Sequence, residues 1–285
     1  LKLYDKPVFY FPKFFHPDPS VKRQSGFLMP SFVNSSSVGT SINTPYFKVL
    51  SDNKDLTLNP RFYSSKKLML QSEYRQVEKN SKYLLDFSFL RDSASSMKGH
   101  FFAKTNKTID FLNFDESELF LNLQQSSHNT YLKAYDLKSP IIRSANILES
   151  SLKLAAYSEN TSLDTKISIY EDLSKNDNDK FEYVYPSYNL TKIHSLDGKT
   201  NSNFTIISSG YVKNYNTNIY EKILINDFLL DSKDNFSKIG FKNDYNILLK
   251  NVNSDGEKSS NYKDDIDNTL GVLFEFNSTY PLIKK

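Results

Sequence analysis

Four histidines, His16, His100, His128 and His194, are the first residues to weigh for chemistry, because imidazole serves both as a metal ligand and as a general base. They are scattered, with no pair at the spacing that zinc sites use. Asp177 and Asp179 lie in an Asn/Asp-rich cluster that suggests calcium, yet no glycine follows at the sixth position and no glutamate at the twelfth. A solvated turn accounts for them better. No G-x-S-x-G elbow, P-loop or dinucleotide fingerprint is present. No two carboxylates pair in a way that marks an acid and a base. Without cysteine there is no thiolate or disulfide chemistry. The residues read as a non-enzymatic chain with no metal and no cofactor.

What the sequence does carry is a hydrogen-bonding deficit at two defined places. Pro30 and Pro45 lie fifteen residues apart, one in each of the first two candidate strands. Proline has no N–H to give to a ladder and is confined to edges, strand starts and bulges. A closed barrel has no natural edge, so a proline in each of its first two strands weakens the seam where the first strand meets the last. The plainer alternative is that the prolines merely end two short strands. A basic pair, Lys22 and Arg23, precedes them and suits charge-assisted bonds to phosphate. Its plainer reading is a solvated basic turn.

The elements that must position these residues are strands. In Leu84 to Leu90, Leu85, Phe87 and Phe89 share one face while Asp86 and Ser88 take the other. In Glu118 to Gln124, Leu119, Leu121 and Leu123 oppose Glu118, Asn122 and Gln124. Ile167 and Ile169 oppose Lys166 and Ser168, and Leu270, Val272, Phe274 and Phe276 oppose Gly271 and Glu275. Period two with one apolar face is the strand signature. Turn clusters such as Ser174 to Asp179, Asp197-Gly198 and Ser254-Asp255-Gly256 separate the segments. Asn146 to Tyr157 and Asp115 to Gln125 also admit a helix, but their neighbours are strands and both are read as strands.

Composition agrees with an amphipathic wall. Hydrophobic residues make up 38%, with 22 Phe and 19 Tyr but no Trp. That balance suits a surface half apolar and half wet better than a large sealed core. No apolar run is long enough for a membrane helix, whereas barrel strands remain possible. Net charge is +3 with both signs interspersed, and no basic stripe marks nucleic acid. The sequence opens on Leu1 within an apolar pattern and shows no signal peptide, as expected of a piece of a longer exported chain.

One ordered string goes further. Pro7-Val8-Phe9-Tyr10-Phe11-Pro12, then Lys22-Arg23-Gln24-Ser25-Gly26-Phe27-Leu28-Met29-Pro30, resembles the junction between jellyroll and barrel in the LPS-assembly proteins, the LptD family. The likeness continues through Thr44-Pro45-Tyr46-Phe47, Asp55-Leu56-Thr57-Leu58-Asn59-Pro60-Arg61 and Glu73-Tyr74-Arg75. Later pieces, among them Tyr131-Leu132-Lys133-Ala134-Tyr135, are similar but weaker.

The resemblance implies an all-β protein: residues 1–25 end a periplasmic β-jellyroll and its linker, and residues 26–285 supply the N-terminal part of an antiparallel outer-membrane β-barrel. It implies lipopolysaccharide transport and insertion into the outer leaflet through a lateral gate, with Pro30 and Pro45 at that gate. Lys22 and Arg23 would then meet lipid A phosphates. The implied partners are an outer-membrane lipoprotein plug (LptE-like) and, through the missing part of the jellyroll, a periplasmic bridge protein (LptA-like). Too few strands are present to close the family's large barrel, so the first strand should be an edge or pair only with the second. A general diffusion porin would share the alternation without this string. A secreted β-sandwich would bury the apolar faces between two sheets.

Overall fold

The computed structural model describes residues 2–3, 6–7, 23–35, 38–91, 97–196 and 202–280. A short antiparallel pair, β1 (Lys2–Leu3) and β2 (Lys6–Pro7), stands as a separate sheet. The main wall begins with β3 (Gly26–Phe27) and β4 (Ser31–Ser35), which form the first crossing. The second crossing is made of β5 (Gly39–Asn43) and β6 (Tyr46–Ser51). Then follow β7 (Lys54–Tyr63), β8 (Leu68–Val77), β9 (Ser81–Arg91), β10 (Met97–Thr108) and β11 (Glu116–Ser126). A single-turn helix, α1 (Tyr131–Ala134), lies in the long loop before β12 (Ile147–Ser158) and β13 (Thr161–Asp172). Past a 3-10 turn at Asp177–Lys180 come β14 (Phe181–Leu196), β15 (Ser202–Tyr215) and β16 (Ile219–Ser232). The two-residue β17 (Asn235–Phe236), β18 (Lys242–Glu257) and β19 (Asp267–Thr279) complete it.

Every pairing is antiparallel and joins crossings that follow one another in sequence, so the wall is an up-and-down sheet. Asp115 to Gln125 and Asn146 to Tyr157 fall on β11 and β12, so both are strands. The strand order runs round as in a barrel and brings β19 next to β3. Among the described residues, no ladder register joins those two: β19 pairs with β18, and β3 with β6. Nearly every residue of β19 is exposed on both faces, as an edge strand requires. The wall is therefore part of a barrel and not a closed one.

The faces follow the alternation. Ladder register puts Leu85, Phe87 and Phe89 level with Ala103, Phe101 and Gly99 of β10 on the outer side, and β11 adds Leu121 and Leu123 there. Asp86, Ser88, His100 and Gln124 are buried on the inner side. Pro186 interrupts β14, and there the ladders to β13 and β15 both shift register, which spares the sheet a missing donor. The strands from β14 onward, at 13 to 16 residues apart from β17, are longer than the segments expected from the sequence.

Composition argued against a sealed core, yet the curl holds a small one. The loop at 127–146 turns inward, and its Tyr131, Leu132, Tyr135, Leu137 and Ile141 pack against Tyr63, Met69, Leu90 and Phe102 on the inner wall. Met69, Leu90 and Phe102 are fully buried there, and each such side chain contributes about 1.5–3 kcal/mol. The loop supplies apolar groups that no strand pattern announces.

Candidate functional site: the first hairpin and the filled lumen

The first hairpin is interrupted at one level. Its ladder runs from Ser35↔Gly39 to Ser31↔Asn43, breaks, and resumes at Phe27↔Tyr46. Pro30 lies in the gap on one side and Pro45 on the other. A single backbone bond spans the gap, from the N–H of Leu28 to the carbonyl of Pro45 at 2.8 Å. In an extended strand a residue's nitrogen and carbonyl point to the same edge, so the donor that Pro45 lacks faces the first crossing. A third proline, Pro60 on β7, continues the spacing, and its carbonyl accepts from Thr44 N–H at 3.2 Å. Its missing donor faces the second crossing. The fifteen-residue interval from Pro45 to Pro60 signals this third member in the sequence. The first crossing also carries exposed apolar side chains, with Phe27, Met29 and Phe32 at 79%, 77% and 74% exposure.

Arg23 is not a free cation. Its guanidinium pairs with the Asp55 carboxylate, which Arg75 also holds through Nε at 2.7 Å. Both guanidinium groups lie over the Phe47 ring, at 5.6 and 6.0 Å. Asp55 is buried while both arginines are half-exposed, so the carboxylate fastens the chain entering β3 to β7 and β8. Lys22 lies outside the described residues.

Deeper in, a buried polar chain ties the loop to the wall. Arg61 donates from Nη1 to the Tyr135 carbonyl (3.2 Å) and from Nη2 to Gln71 Oε1 (3.1 Å). Gln71 Nε2 donates to Asp86 Oδ1 (3.1 Å) and to the Lys138 carbonyl (3.0 Å). His100 places Nε2 at 3.2 Å from Asp86 Oδ1 and Nδ1 at 2.7 Å from Ser88 Oγ, which lies 2.7 Å from the Tyr131 hydroxyl. An ionised carboxylate only accepts, so the Nε2 proton points at Asp86. Nδ1 then accepts from Ser88, and Ser88 from Tyr131. Burial pushes the Tyr131 phenol up to about 12, which keeps that donor protonated.

Serine, histidine and aspartate in this order are the parts of a hydrolytic triad. Here they cannot act as one while the loop is seated. Ser88 and Asp86 are fully buried, and the Ser88 hydroxyl is already bonded to Tyr131. The arrangement holds the loop in place. Histidine spacing hid it, because His100 meets Asp86 only through the register of the β9–β10 hairpin, which sets His100 opposite Ser88 and Phe102 opposite Asp86. Among the described residues, the His128 imidazole bonds to its neighbour Ser127, and no group of His, Cys, Asp and Glu is placed to hold a metal.

Comparison with known proteins bears on what this wall belongs to. LPS-assembly protein LptD of Pseudomonas aeruginosa (strain UCBPP-PA14) is 37% identical over 99 residues, 35% of this chain and 11% of that protein. The protein of the same name from Pseudomonas putida (strain W619) is 39% identical over 98 residues, 34% of this chain and 10% of its own. The matched stretch is thus about a tenth of each relative's length. A solved structure titled bacterial polysaccharide outer membrane secretin overlays 88% of this chain and 83% of its own, at a TM-score of 0.34 and 9% identity. The family model described as LptD protein matches residues 1–150, the half that contains the first hairpin, the Arg23–Asp55–Arg75 clamp and the buried polar chain. This chain belongs to the LptD family.

Proposed function

We propose that this chain forms part of an outer-membrane barrel that delivers lipopolysaccharide to the cell surface. The observation that carries the reading is a family match over the very strands whose first hairpin is interrupted by prolines. Lipopolysaccharide has acyl chains that must enter the membrane and a sugar chain that must reach the exterior. A wall that opens sideways meets both demands, and a sealed pore does not. The first crossing, held across the Pro30 and Pro45 level by the Leu28 bond, is the lip that swings. The deficit at Pro45 lies inside the hairpin, so the hairpin loosens and carries the seam with it.

In this reading the outer face, with Phe87, Phe89 and Leu123, meets lipid, and the inner face meets water and the passing sugar. Residues 1–25 belong to the periplasmic side. A lipoprotein plug (LptE-like) inside the complete barrel and a periplasmic bridge (LptA-like) upstream are the partners. The protein guides and releases passively, with energy spent elsewhere in the transport chain. Arg23 serves the clamp first, and Lys22 with it is a secondary contact for lipid phosphate.

Depletion of the full protein in its host tests the reading. Lipopolysaccharide labelled by a membrane-impermeant probe should fall at the surface and accumulate inside. Unchanged surface lipopolysaccharide with reduced uptake of small hydrophilic solutes would instead support a diffusion porin.

A further inference from the structure

Ladder register carries the outer face across the whole wall. From Leu121 it passes through Leu152 to Ile167 on β13, and from Leu163 on that strand through Leu190 to Ser208, Asn226, Asn251 and Leu270. On β9 the outward residues between Ser81 and Arg91 are Tyr83, Leu85, Phe87 and Phe89. On β19 those between Asn268 and Ser278 are Leu270, Val272, Phe274 and Phe276. At about 3.4 Å per residue and a tilt of about 40°, each stretch is about 25 Å tall, the height of a full apolar belt. Between these strands the belt narrows. On β15, β16 and β18 its outward members are Phe204 and Ile206, Leu230 and Phe228, and Ile247 and Leu249. Ser202, Ser232 and Tyr245 bound this band at one end, and Ser208, Asn226 and Asn251 at the other. By the same measure it is only about 15 Å tall.

The second boundary is a hydrogen-bonded patch. Ser208 donates to Asn226 Oδ1 at 2.8 Å, and the Tyr188 hydroxyl lies 3.0 Å from Ser208 Oγ. Asn253 donates to Asn251 Oδ1 at 2.6 Å, and Asn251 to Asn268 Oδ1 at 3.0 Å. The Nδ2 hydrogens of Asn226 meet no acceptor among the described residues, and a polar group left so in hydrocarbon is costly. Past the patch, Val212 and Leu224 line a cavity of about 330 Å³ with Pro186 and Ile266, and Lys222 then pairs with Asp255 at 3.4 Å. We propose that the bilayer is pinched beside β15, β16 and β18, with lipid headgroups drawn in to the Ser208–Asn226–Asn251 patch. Lipid thins beside a spanning surface that is shorter than the hydrocarbon, and headgroup oxygens then accept from Asn226. The patch lies toward the turn at 216–218, and by the alternation of the crossings that end is opposite to the start of β3. The pinch is therefore in the leaflet far from residues 1–25. It rests on the barrel part of the reading above, and not on what the barrel delivers.

Depth-dependent quenching in the full protein tests it. A dansyl amino acid replaces either Leu224, just past the patch, or Phe87, in the middle of a full belt. The protein is reconstituted in phosphatidylcholine vesicles that contain a nitroxide lipid, labelled either on the headgroup or at mid-chain. The ratio of headgroup to mid-chain quenching should be at least about threefold higher at position 224 than at position 87. N226L/N251L lengthens the apolar band and should bring the ratio at 224 down to that at 87. If this variant does not assemble, the ratio with the patch intact decides alone. Equal ratios with the patch intact would overturn the pinch, as would a ratio that N226L/N251L leaves unchanged. A probe at 224 that neither lipid quenches would overturn it too, because protein and not headgroups would then cover the patch. The barrel reading fails by a different result, a probe at 87 that neither lipid reaches.

Discussion

The backbone N–H of Leu28 meets the carbonyl oxygen of Pro45 at 2.8 Å, and this one bond carries the first hairpin across its proline level. Both neighbouring positions that would reinforce it are prolines or lie in the ladder gap. Replacing Pro30 and Pro45 with valine restores two possible donors, each worth a net ~0.5–1.5 kcal/mol where it finds an acceptor. The hairpin should stiffen and the arrival of lipopolysaccharide at the surface should slow, with assembly of the barrel unchanged. Pulse-labelling of surface lipopolysaccharide decides the matter, and a wild-type rate would rule out a gating role for these prolines.

Asp86 accepts from both Gln71 and His100 in full burial. Asp86→Ala leaves His100 Nε2 without its partner and Gln71 Nε2 with only the Lys138 carbonyl, at a cost of about 1–3 kcal/mol. The loop should feel this first, because Gln71 and, through His100 and Ser88, Tyr131 connect it to the wall. Hydrogen exchange at residues 131–142 should accelerate by orders of magnitude while β9 and β10 stay protected. Unchanged protection of the loop would mean that its apolar packing alone holds it.

Phe87 stands at the middle of β9 on the outer face, and its neighbour Asp86 faces inward. Phe87→Lys should cost ~2–4 kcal/mol if it sits near the bilayer midplane. Reversible unfolding in lipid bilayers measures this. A variant as stable as the wild type would place that face away from the hydrocarbon.

Asp55 is buried between two half-exposed arginines, so its loss leaves two cations repelling one another over Phe47. Solvent screens both, and Asp55→Asn should cost about 1–2 kcal/mol rather than the value for a sealed pair. The entering segment should loosen, and protease cleavage near Arg23 should quicken. If Arg75→Gln has the same effect and adds nothing in combination, the three residues act as one clamp.

The wall was legible in the sequence because each strand separates two environments. Leu85, Phe87 and Phe89 against Asp86 and Ser88 gave the faces of β9, and Ile167 and Ile169 against Ser168 gave those of β13. The two prolines were visible as a deficit, but the edge that deficit faces needed the Leu28–Pro45 bond. The buried polar chain was not legible. Its members lie on four strands and a loop, and hairpin register, not spacing, brings His100 to Asp86 and Ser88. The loop's inward turn left no periodic mark, since one helical turn at Tyr131–Ala134 is too short to show a face.

The inward loop also bears on the order in which the chain can fold. The bond from Arg61 to the Tyr135 carbonyl spans 74 residues, and that from Gln71 to the Lys138 carbonyl spans 67. Contacts so distant in sequence come after the nearer strand pairings, because the chain must first lose the entropy of the loop between them. The hairpins from β7 to β10 therefore form around a wet interior, with Asp86 and His100 hydrated. Entry of Tyr131 and Leu132 then expels that water, so drying of the patch beneath the loop is the late step in maturation of this part of the wall.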